Sequence, residues 1–114
     1  MLRIDVGAMA LALLLLFFAC TYDPLPIGTP VKFSQTAPCA PAEIQLDQVL
    51  KAEKAGESEF YKAMDRAQAI QVKAGDSATV ITSVPGKVRV RLPEGSVNRL
   101  PDNTCWISRE AIAK

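Results

Sequence analysis

Residues 77–92 read SATVITSVPGKVRVRL, and this stretch decides the fold class. Residues 79–84 are rich in β-branched side chains, which suit a pleated, half-buried surface. Pro85-Gly86 is a tight-turn signal between two such runs. Lys87-Val88-Arg89-Val90-Arg91-Leu92 then alternates strictly. A strand there puts Val88, Val90 and Leu92 on one face and three cations on the other. The chain therefore contains a β-hairpin with one apolar face that needs a core.

The same period extends outward. Residues 69–73 alternate and lead into a turn at Gly75-Asp76. Downstream, Pro93-Glu94-Gly95 turns the chain, a polar loop follows over 96–103, Thr104-Cys105-Trp106-Ile107-Ser108 reads as a last short strand, and 109–112 as a final helical turn. Upstream the pattern is helical. Residues 43–55 mix Glu43, Asp47, Lys51, Glu53 and Lys54 with Ile44, Leu46, Val49 and Leu50, and Gly56 is a natural stop. Ser58 is placed to cap a second helix, in which Phe60, Met64 and Ala67 recur at the spacing of one helix face. Residues 58–70 also admit a first strand, since Phe60-Tyr61 suits a sheet.

Several short strands with tight turns in a small domain point to an open barrel. The series Val72-Lys73-Ala74-Gly75, Ala78-Thr79-Val80-Ile81, Gly86-Lys87-Val88-Arg89-Val90-Arg91-Leu92 and Cys105-Trp106-Ile107 resembles bacterial SH3-like domains, over roughly residues 60–112. Cys105 stands where such domains usually have glycine before the tryptophan. The resemblance implies an α+β fold: a small SH3-like open barrel preceded by one or two short helices. Its members bind diverse partners, including cell-wall peptides and other proteins, so the fold does not name a function.

The N-terminus is an address. Residues 8–19, AMALALLLLFFA, form an uncharged apolar run too short for the roughly 20 residues a spanning helix needs. Its length fits a signal-peptide h-region, with Arg3 supplying positive charge before it. Phe17-Phe18-Ala19-Cys20 resembles the box that ends the bacterial lipoprotein signal, with Ala19 and Cys20 matching and Phe17 in place of the usual leucine. The resemblance implies cleavage before Cys20, a diacylglycerol on its thiol and an acyl chain on its new amino group. Two or more chains anchor stably, since each buried CH₂ contributes about 0.8 kcal/mol. Thr21 after the cysteine resembles enterobacterial lipoproteins sorted to the outer membrane, with the domain facing the periplasm.

With Cys20 set aside, Cys39 and Cys105 remain of the three cysteines. An even remainder in an exported chain implies one disulfide. It would close a loop of about 65 residues, which the chain-entropy model values at about 4 kcal/mol. Five of the eight prolines fall in residues 21–42, at 24, 26, 30, 38 and 41. Closely spaced prolines favour an extended path. The expected organisation is a signal peptide over 1–19, a lipidated proline-rich tether over 20–42 and a small α+β domain over 43–114.

Composition limits the chemistry. The 114 residues carry 13 Lys+Arg against 12 Asp+Glu, a formal net charge of +1, which argues against a generally basic nucleic-acid binder. There is no histidine, the commonest general base and metal ligand. No Ser-x-x-Lys, Gly-x-Ser-x-Gly or phosphate-cradling glycine loop occurs. The sequence points to a non-enzyme that needs neither cofactor nor metal. The binding candidates are Lys87, Arg89 and Arg91, a stripe suited to lipid headgroups, peptidoglycan carboxylates or an acidic partner. The same stripe also reads as a solvated face, or as charge answered by the acidic segment 43–65. Trp106 reads either as packing against the disulfide or, with Tyr61, as an exposed ring pair that stacks on a peptide or sugar. The expected role is structural or accessory binding in an envelope assembly such as a secretion or transport complex. The alternatives are a peptidoglycan-binding module and a small inhibitor or exclusion lipoprotein.

Overall fold

In the computed structural model, which describes residues 24–95 and 100–113, the elements run β1 (Pro30–Lys32), β2 (Ala37–Cys39), α1 (Glu43–Ala55), α2 (Glu57–Ala67), β3 (Ile70–Val72), β4 (Ser77–Val84), β5 (Lys87–Arg91) and β6 (Thr104–Ser108). Short 3₁₀ turns span Pro101–Asn103 and Arg109–Ala111. The hairpin forms as the alternation requires, with Val84 opposite Lys87 and Val80 opposite Val90. Gly86 takes φ +82° in its turn, a backbone that side chains disfavour. The register shifts by one residue between Val80 and Thr82, a bulge at Ile81.

The strands make two antiparallel sheets, β1-β4-β5-β6 and β2-β3. Among the described residues they are joined by one bridge: Ala40 N–H donates to the Trp106 carbonyl at 2.9 Å and Trp106 N–H donates to the Ala40 carbonyl at 2.6 Å. At the other side Phe33 bridges Ile112. The fold is α+β, with two helices and six strands among the described residues, and the sheet does not close into a barrel.

The inner face of these strands holds one core, with Val31, Phe33, Val72, Val80, Val88, Val90, Cys105 and Ile107 buried together. Period two explains the selection in each strand. A second core lies between the helices and the outer face of the sheet junction: Leu46 and Val49 of α1, and Phe60, Met64 and Ala67 of α2, pack with Ala40 and Ala69. Residues 58–67 are therefore helical, and the 60/64/67 spacing buries one face as expected. The cap differs from expectation. α2 starts at Glu57, Ser58 lies inside it, and Gly56 is its N-cap with no side-chain hydrogen bond. Gly56 has φ +141° and also ends α1, so one glycine turns the chain between the helices.

The tether over 20–42 requires correction in its described part. Residues 30–40 are folded: β1 pairs with β4, β2 pairs with β3, and Val31, Phe33, Ala37, Cys39 and Ala40 are buried. Pro30 opens the edge strand β1, and Pro38 sits in β2, an edge of the two-stranded sheet, positions at which a missing donor is tolerated. The domain therefore begins well before residue 43. Cys20 and the signal-peptide residues 1–19 lie outside the described residues.

Candidate functional site

The cationic stripe lies on the face of β5 that turns toward the helices. Lys87 is opposite Ser108, Arg89 opposite Trp106 and Arg91 opposite Thr104, and cross-strand partners share a face. The three cations nevertheless have three different environments. Lys87 Nζ lies 3.1 Å from Glu43 Oε1 and 2.9 Å from Asp47 Oδ1, both in the first turns of α1. The i, i+4 spacing of these carboxylates brings them to one side of the helix, where they grip a single ammonium. The Asp47 hydrogen bond, and after it the Glu43 bond, raises the Lys87 pKa above the ordinary lysine value, with partial desolvation opposing. Arg89 is half-buried and donates from Nη2 to Thr104 Oγ1 at 3.2 Å. Its Nε is buried with no hydrogen-bond partner among the described residues. Arg91 is exposed at the end of the strand. The acidic helix thus answers the first cation within the molecule, and the stripe is not a uniform open patch.

Trp106 does not pack against the disulfide. The Cys39–Cys105 bond forms, with 5.4 Å between the Cα atoms, and both cysteines are buried in the inner core. Trp106 is the next residue in β6, so it points to the opposite face and packs partly buried against the helical core. Adjacency in sequence places the indole away from the sulfurs. Tyr61 is 55% exposed, and its ring meets Phe60 edge-on at 5.4 Å between centroids.

A second surface had no signal in the strand pattern. Where the chain enters the domain, Leu25, Pro30, Lys32, Pro85, Arg109 and Ile112 line an open groove. It runs between the edge of β1, the β4–β5 turn and the segment after β6. In the sequence this end of the chain reads only as a proline-rich tether, and none of the lining residues is singled out as a binding candidate.

Chemically, the described surfaces offer charge pairing and apolar contact. No group of three or more Cys, Asp or Glu placed to hold a metal occurs among the described residues. No helix among them is long and apolar enough to cross a membrane. No family model matches the chain, and neither a curated protein nor a solved structure does.

Proposed function

We propose that the protein is a lipid-anchored bacterial envelope lipoprotein, held at the outer membrane through acylated Cys20, with a structural or accessory binding role in a cell-envelope assembly such as a secretion or transport complex. One observation carries the reading: once Cys20 is assigned to lipid, the two remaining cysteines are bonded to each other in the folded domain. That is the cysteine usage of an exported chain with a lipidated N-terminus. The strand order β3-β2-β6-β5-β4-β1, continuous through the Ala40–Trp106 bridge, supports an SH3-like open barrel as the binding scaffold.

The position of the domain favours a partner at the membrane. Leu25 already packs against the inner core, five residues after Cys20. An extended chain of that length spans at most about 18 Å. The domain is thus held close to the lipid, beside whatever assembly occupies the same membrane. Affinity purification of the full acylated chain from detergent-solubilised envelopes tests the role. A stoichiometric membrane complex supports it. Recovery of the chain alone, together with sedimentation on purified sacculi that is lost when Lys87, Arg89 and Arg91 are changed to serine, replaces it with the cell-wall reading.

A further inference from the structure

From the entry turn and the groove beside it we infer that this end of the domain is seated on the lipid surface, with Ile27 in the bilayer interface. The inference rests on the lipid anchor at Cys20 proposed above. Ile27 is 80% exposed, the most exposed large apolar side chain among the described residues. Single exposed apolar residues are ordinary; its placement is what distinguishes this one. It lies seven residues after Cys20, so an extended chain carries it no more than about 25 Å from the acylated atom.

The turn that presents it is tied down on both sides. Thr29 donates from its backbone N–H and its Oγ1 to the Pro26 carbonyl, at 3.2 Å and 2.7 Å. Gly28 N–H donates to the Val80 carbonyl at 2.8 Å, and Val80 N–H donates to Thr29 at 2.9 Å. Ile27 is therefore held outward by the edge of the sheet. Leu25 and Thr29, on either side of it in sequence, line the groove. So do Lys32 and Arg109, whose cations suit phosphate headgroups, and Glu110, which opposes part of that charge. Apolar side chains set into the interface beside cations are how peripheral proteins lie on a bilayer, and here the lipid anchor makes the encounter intramolecular.

The experiment uses full-length acylated protein in vesicles of phosphatidylethanolamine and phosphatidylglycerol, with lipids brominated near the headgroup end of the chains. Ile27→Trp and Tyr61→Trp are compared with the unaltered chain, whose single tryptophan is Trp106. Both substituted side chains are exposed, so neither change disturbs a core. The expected result is that the added emission of Ile27→Trp shifts to the blue and is largely lost to bromine, while that of Tyr61→Trp is unchanged. Emission at position 27 that stays at the aqueous wavelength, or equal quenching at both positions, overturns the seating while leaving the anchor intact. Native protein whose intact mass contains no acyl chain overturns the anchor and the seating together.

Discussion

Cys39 and Cys105 are bonded one residue before Ala40 and Trp106, the pair whose backbones exchange two hydrogen bonds and join the two sheets. The covalent link and the only bridge between the sheets therefore coincide among the described residues. The sulfurs face the inner core and the indole faces the helices, so this junction also couples the two cores.

Opening the disulfide is expected to be costly for that reason. The bond spans 66 positions. Cys39→Ser with Cys105→Ser should lower stability by about 2–5 kcal/mol, the usual range for loss of a native disulfide from a small domain. Urea unfolding followed by far-UV circular dichroism measures it. Because both cysteines are fully buried, reductant should act on the native protein only as fast as the junction opens.

Lys87 gives a pH signature. Its pKa is raised in the folded state, above the ordinary value of 10.5, first by Asp47. A base whose folded pKa is raised contributes its stability fully below the unfolded value and loses it as pH climbs through the folded value. Stability should therefore have a Lys87-dependent fall above about pH 10.5, absent in Lys87→Met. The Glu43 and Asp47 side chains are 45% and 54% exposed, so solvent screens the pair and the loss near neutral pH should be about 1 kcal/mol or less. Urea midpoints of the two proteins between pH 7 and 11 check both statements.

Gly56 is the hinge of the helical hairpin. Its φ of +141° serves both the end of α1 and the start of α2. The space around it is open, so Gly56→Ala tests backbone conformation alone. A loss of about 1 kcal/mol or more is expected. An unchanged thermal midpoint would mean that the hairpin turns without the positive φ.

Trp106 packs partly buried against the helical core. Trp106→Ala should cost about 3 kcal/mol, the low end for a large aromatic because the ring is only partly buried. A variant that keeps its stability yet loses binding to sacculi or peptide would instead make the indole a ligand contact.

The sequence was most informative where a period ran long enough. Residues 87–91 alternate and 60/64/67 keep a helical stripe, so their burial follows from the pattern; in 104–108 it holds for Cys105 and Ile107, while Thr104 is buried against the alternation. The failures share a cause. β1 and β2 are three residues each and carry prolines, too short for alternation to show against a proline-rich composition. Yet Val31 and Phe33 already alternate around Lys32. Residues 57–67 form a helix where a strand was also admissible, and the segment expected to be a tether contributes two strands, β1 and β2. At the candidate site, charge composition indicated that the acidic segment and the cationic strand were able to pair. It did not single out Lys87, because only the docking of α1 brings Glu43 and Asp47 to that end of β5. The groove beside Leu25 is made by three segments distant in sequence, and no local pattern encodes it.

An acylated N-terminal cysteine carrying a disulfide-closed domain has a distinctive mass. Intact mass spectrometry of membrane-extracted protein, with and without reduction, measures it. The expected mass is that of residues 20–114 plus acyl chains, rising by two hydrogens on reduction. A mass equal to the full unmodified chain would contradict it.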